Sequence, residues 1–153
     1  MACSNPPIFF SEVVPTHNGV SEALKGVVMF LEDHGLHRSK VAEIELAMAE
    51  ALNNVVEHSV GAIDVPDVSL RCELRGSGVK LSIADNGPPF TPPTAEDADR
   101  KVDHSIAVAA EGGFGWHLIH SLASDVCFAA LSKGNLLTLN FDLSPQQPKD
   151  FAS

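Results

Sequence analysis

Glu50-Ala51-Leu52-Asn53-Asn54-Val55-Val56-Glu57-His58 reads as the end of an amphipathic helix. At about 100° per residue, Val41, Ile44, Met48, Ala51, Leu52 and Val55 share one face, which marks the core stripe. The periodicity predicts a helix that runs to about His58. Ser39 is its candidate cap, with Ala42 rather than Glu or Gln three residues on. Glu43, Ala47, Glu50, Asn54 and His58 form a second stripe, roughly a third of a turn away. Glu50, Asn54 and His58 stand at i, i+4 and i+8, so their side chains line up. A solvated flank would account for a single Glu or Asn there. Asn is a poor helix residue, however, and two adjacent ones in mid-helix ask for more than propensity.

Upstream, Ile8 to Val14 reads as a strand, which Pro15-Thr16-His17-Asn18-Gly19 breaks. Val20, Ala23, Leu24, Val27, Val28 and Leu31 then give helical spacing over Val20 to Asp33, closed by His34-Gly35. Downstream, Gly61 to Asp64 is a loop. Asp67 to Arg75 alternates as a strand, Gly76-Ser77-Gly78 turns, and Val79 to Ala84 returns as its partner. Asn86 to Gly113 is rich in Pro, Asp, Ala and Gly, with a short helix expected over Thr94 to Lys101. A long irregular segment inside a compact domain is a functional lid or disordered. Gly115 to Ser124 is helical again. Val126 to Leu131 and Leu136 to Leu143 pair around Ser132-Lys133-Gly134-Asn135.

The order is strand, two helices, hairpin, lid, helix, hairpin. It predicts an α/β protein of the α+β sandwich type: a mainly antiparallel mixed sheet with helices on one face. A single domain is expected over residues 8–143, followed by a polar tail over 144–153.

Composition narrows the functions. The 153 residues are 44% hydrophobic, enough for a sizeable core. No apolar run approaches bilayer-spanning length, and Met1 to Pro7 lacks a secretory signal's basic and apolar regions. Cys3, Cys72 and Cys127 are widely spaced and suggest neither a disulfide framework nor a zinc site. They read as reduced thiols in cytoplasm. A net charge of −10 opposes binding to nucleic acid. A polyphosphate would need a local positive spot, which Mg²⁺ could provide.

Two further stretches carry chemistry. Asp85-Asn86-Gly87-Pro88-Pro89-Phe90 follows the alternation Val79-Leu81-Ile83. Asp, Asn and Gly are turn residues and would make an ordinary strand exit. Gly112-Gly113-Phe114-Gly115 runs into Trp116-His117-Leu118-Ile119. Such glycines join segments flexibly, but ahead of a helix they also expose unpaired N–H groups at its positive end, where anions bind.

In order and spacing, the three stretches resemble the N-box and two glycine boxes of the GHKL superfamily of ATPases and kinases. The likeness runs from about Val41 to Leu143, and more loosely from Ile8. Pro88-Pro89-Phe90 and the short length are similar to the anti-sigma branch, whose members are serine-protein kinases. The resemblance implies the GHKL (Bergerat) ATP-binding fold with ATP and Mg²⁺ as cofactors. It implies that Glu50 is the general base and that Asn54 gives an oxygen to Mg²⁺. Asp85 would accept from the adenine amino group, while Gly87 admits the base closely. Gly112, Gly113, Phe114 and Gly115 would hold phosphate. Phe90 is a hydrophobic plug or a wall near the nucleotide, and His58 a helix-end residue. Trp116 packs into the core or beside the phosphate loop, in place of the usual aliphatic residue. His117 is expected to be exposed, and Asn135 or Thr138 to reach the nucleotide.

The implied function is phosphorylation of a serine on a STAS-type anti-anti-sigma protein. The same surface would alternately hold a sigma factor, and the family commonly works as a homodimer. A module that only sequesters its partner is the second reading, against which Glu50 counts. A histidine-kinase catalytic fragment is the third, and the chain lacks a helix pair with a phospho-accepting His.

Overall fold

The computed structural model describes residues 5–98 and 113–143, with only the backbone of Gly113 and Phe114. Strand β1 is Ile8–Val13. Helix α1, His17–Asp33, starts earlier than its apolar periodicity does. The reason is Thr16, whose Oγ1 accepts from Gly19 N at 3.0 Å and satisfies a donor of the first turn. Helix α2 is Arg38–Ser59, and its cap is His37 rather than Ser39. The His37 ring nitrogen Nδ1 accepts from Ser39 N at 3.2 Å, which leaves Ser39 inside the first turn.

Strands β2 (Val68–Arg75) and β3 (Gly78–Asp85) form the expected hairpin. Helix α3 is Gly113–Leu122, beginning two residues before its expected start. Strands β4 (Asp125–Leu131) and β5 (Gly134–Asp142) close the chain. The five strands lie in the order β1-β2-β3-β5-β4. Every ladder is antiparallel, so the expected mixed character is absent among the described residues.

Alternation gives the sheet one buried and one open face. Val68, Leu70, Cys72, Val79, Leu81, Ile83, Leu137, Leu139 and Phe141 point inward, and the stripe predicted for α2 meets them. Val41, Ile44, Met48, Ala51, Leu52 and Val55 are all buried. Lys80, Ser82, Thr138 and Asn140 fall on the opposite face. The β3–β5 register sets Asp85 opposite Asn135, both inward. A sheet with helices on one face is the predicted architecture.

A helical turn covers 95–98, and its Ala98 is buried. Thr94 Oγ1 accepts from Asp97 N at 3.2 Å to start it. The remainder of the expected 94–101 helix, the lid beyond Ala98, Gly112, Cys3 and the tail 144–153 lie outside the described residues.

Candidate functional site

The second stripe of α2 is graded. Glu43 is exposed and pairs with Lys40 at 3.3 Å. Ala47 is fully buried. Glu50, Asn54 and His58 are half-buried, while Asn53 is exposed, as a flank residue should be. Glu50 and Asn54 face the first turn of α3. A Cβ at Gly115 would stand 2.8 Å from Glu50 Oε2 and 3.4 Å from Asn54 Nδ2. The missing side chain is therefore what lets the two helices bring these groups together.

The glycine run lies partly inside α3. Gly113, Phe114, Gly115 and Trp116 are its first four residues. Their N–H groups have no carbonyl of the preceding turn to meet and form the positive end of the helix dipole. Glu50, Asn54 and an anion-favouring helix start thus converge from two elements. Trp116, the fourth residue of this turn, is buried in the core. His117 is half-buried and engaged, in contrast to its expected exposure.

Asp85 ends β3 and is 7% exposed. Its Oδ1 accepts from Gly87 N at 2.7 Å and from Asn135 Nδ2 at 3.1 Å. Asn135 also donates to Pro88 O at 3.0 Å and accepts from Phe90 N at 3.2 Å. Thr138 lies on the open face, so Asn135 is the polar residue of this strand at the Asp85 corner. The neighbouring Asn86 has a local duty. Its Oδ1 accepts from Asp67 N at 2.8 Å and its Nδ2 donates to Val65 O at 3.0 Å.

The strap from Gly87 to Pro93 crosses between the two helices. His58 Nε2 bonds Pro88 O at 3.1 Å, and His120 Nε2 bonds Pro93 O at 2.9 Å. Phe90 packs against His58 with ring centroids 4.7 Å apart and the rings tilted by 41°, and it approaches Trp116 at 6.0 Å. Phe90 thus packs onto the core between the two rings, and His58 ties down the strap as well as ending its helix. A groove of about 450 Å³ beside this corner is lined by Ile63, Asn86, Gly87, Pro89, Lys133 and Gly134, among others. Another, of about 460 Å³, lies at the far end of β5 near His37 and Asp142 and shares no residue with the three stretches.

The residues fit Mg²⁺ bound through a nucleotide. Among the described residues no group of three or more His, Cys, Asp or Glu could hold a metal alone. Mg²⁺ does not need one, since it takes few protein oxygens and fills its shell from phosphate and water. Asn54 is the apt donor: the buried Nδ2 end of its amide has no hydrogen-bond partner among the described residues. An amide turned over would present oxygen at that place. No described helix is long and apolar enough to cross a membrane.

Comparison with known proteins bears on family and fold. The histidine kinase-like ATPase domain matches residues 13–141. The serine-protein kinase RsbW of Bacillus licheniformis is 25% identical over 97 residues, 60% of this chain and 59% of that protein. The chain thus matches less than two thirds of the length of that relative. The structure of the RsbU and RsbW domains of Rv1364c from Mycobacterium tuberculosis superposes with a TM-score of 0.62. It is 21% identical and covers 89% of this chain and 32% of that one. The nucleotide-free catalytic domain of histidine kinase ThkA gives 0.52 at 12% identity, over 88% and 97% of the two chains. The structural likenesses carry the fold, and the family match carries the membership: the chain belongs to the histidine kinase-like ATPase domain family and has its GHKL fold.

Proposed function

We propose that this protein is a Mg-ATP-dependent serine-protein kinase that also acts as an anti-sigma factor. The observation that carries the proposal is the seating of Glu50 and Asn54 side by side against the first turn of α3. Phosphoryl transfer needs positioned groups and neutralised charge more than covalent help from the protein. The N–H groups of Gly113, Phe114 and Gly115, with Gly112 ahead of them, would hold the phosphates. Asn54 would hold Mg²⁺, which when bound offsets phosphate charge. Asp85, oriented by Asn135 and Gly87, would accept from the adenine amino group. Glu50 would take the proton of the acceptor serine as its oxygen bonds to the γ-phosphorus and ADP departs.

The acceptor is a serine on a STAS-type anti-anti-sigma protein, and a sigma factor is the alternate partner. The similarity to serine-protein kinase RsbW supports this choice. One compact kinase domain over 8–143, acting as a cytoplasmic homodimer, completes the proposal. To test it, labelled ATP is incubated with the purified chain and a STAS-type partner from the same cell. Wild type should label a serine, and Glu50→Ala should bind ATP without labelling. A wild-type rate of transfer by Glu50→Ala would remove Glu50 from the role of base.

A further inference from the structure

Ser59 is the last residue of α2 and is completely buried. Its Oγ has no hydrogen-bond partner among the described residues. A serine in a helix ordinarily bonds back to a carbonyl one turn earlier, and this one does not. Buried hydroxyls without partners are costly, so one that persists needs a reason.

Its surroundings supply the reason. A Cβ at Gly87 would lie 3.2 Å from Ser59 Oγ and 2.8 Å from Asp85 Oδ1. Both oxygens therefore close on one point at Gly87, nearer than any side chain there would allow. Gly87 also lines the groove of about 450 Å³, so this one residue separates the two oxygens from room for a ligand. The chemistry of the pair is complementary. A carboxylate only accepts, whereas a hydroxyl can donate. Adenine presents an amino donor flanked by two ring acceptors, N1 and N7, one on either side. An acceptor beside a donor matches that edge. A base with a carbonyl in place of the amino group meets the carboxylate with like polarity.

We infer that the Ser59 hydroxyl is a second recognition contact for the nucleobase, donating to the ring nitrogen beside the amino group that Asp85 accepts from. The inference rests on the reading of Asp85 as the adenine corner. Ser59 is a specificity residue in it and takes no part in phosphoryl transfer.

The test is a set of calorimetric titrations of the full chain, wild type and Ser59→Ala, with Mg·ATP and its 1-deaza and 7-deaza analogues. Each analogue replaces one ring acceptor with C–H. Wild type should bind one of the analogues about five- to tenfold more weakly than ATP, the loss expected for one hydrogen bond. Ser59→Ala should lose a similar factor for ATP and bind that analogue as it binds ATP. Which analogue is affected identifies the nitrogen. The ligand-free variant should melt no lower than wild type, because alanine removes an unpartnered hydroxyl. Equal binding of all three nucleotides by wild type, or unchanged ATP affinity in Ser59→Ala, overturns the inference while leaving the ATP site intact. A lower melting temperature together with unchanged discrimination overturns it in favour of a packing role. A wild-type chain that binds no ATP would overturn the adenine-corner reading as well.

Discussion

Asn135 faces Asp85 across the β3–β5 ladder and donates to its Oδ1 at 3.1 Å. The same side chain holds Pro88 O and Phe90 N, so one amide fixes both the carboxylate and the strap beside it. Asn135 is 3% exposed, and water cannot easily replace what it provides. Asn135→Ala is expected to cost about 1–3 kcal/mol of stability, the penalty for groups left unpaired in the interior. ATP affinity should fall about fivefold or more, since Asp85 loses its orientation. Urea denaturation and ATP titration check the two effects. A folded variant with wild-type affinity would separate this clamp from the nucleotide.

Gly115 gives a sharper separation of fold from chemistry. An added Cβ would press on Glu50 Oε2, the mobile end of a side chain, which can move aside. The backbone itself should gain, because Gly115 does not have a positive φ, and Gly→Ala at such a site stabilises by about 0.4–1 kcal/mol. Gly115→Ala is thus expected to melt at or above the wild-type temperature while transferring phosphate at least about tenfold more slowly. A thermal melt and a transfer assay on one preparation decide it. Wild-type transfer would mean that the Glu50 position is not critical.

Much of this was legible because the period of a helix and the alternation of a strand are geometric. The α2 stripe, the β2–β3 hairpin and the inward Asp85 all follow from it. Where the sequence misled, one residue type served two purposes. Pro15-Thr16-His17-Asn18-Gly19 has turn chemistry, but Thr16 used that chemistry to cap α1. Ser39 has the side chain of a cap, yet the His37 ring took the place. Strand parity could have chosen Asn135 over Thr138, because Asn135 shares its face with Leu137, Leu139 and Phe141. Leu136 blurs that signal by putting an apolar residue on the other face. Ser59 carries no sequence signal, since its unpartnered state exists only once Gly87 is folded over it.

Cys72 adds a pH dependence that is independent of the site. Burial pushes its thiol from 9.0 to about 12. The folded state therefore holds the proton that the unfolded chain gives up above pH 9. The contribution is complete below the unfolded value and is lost as pH rises through the folded one. Between pH 8 and pH 10 the loss should be on the order of 1 kcal/mol, and Cys72→Ala should flatten that part of the curve. Urea denaturation at the two pH values measures it. An equal slope in wild type and Cys72→Ala would assign the effect to another group.

Asp85→Asn tests the adenine corner. An amide oxygen can still accept from Gly87 N, so the turn should survive. The charged acceptor is gone, and ATP affinity should fall by about 1.5–3 kcal/mol, as for a hydrogen bond to a charged group. Inosine triphosphate lacks the amino donor and should bind wild type weakly. Titration with both nucleotides measures each affinity, and equal values in wild type would take Asp85 out of the site.

Phe90 and Trp116 provide an optical test of how nucleotide enters. Trp116 is the chain's one tryptophan, buried in the first turn of α3, with the Phe90 ring 6.0 Å away. Phosphate held by that turn would change the field at the indole, and a base beside Asp85 would meet the strap that carries Phe90. Adding Mg·ATP should therefore shift Trp116 emission, and the shift should saturate with the affinity measured by calorimetry. Phe90→Ala removes the ring between His58 and Trp116. Its ligand-free emission should move to longer wavelength as water reaches the indole, and its ATP-induced shift should differ from that of wild type. Truncating a half-buried Phe should also cost about 3 kcal/mol or less of stability, which a melt would record. If saturating Mg·ATP leaves Trp116 emission unchanged while calorimetry shows binding, the nucleotide does not engage the first turn of α3. The phosphates would then have to be held elsewhere.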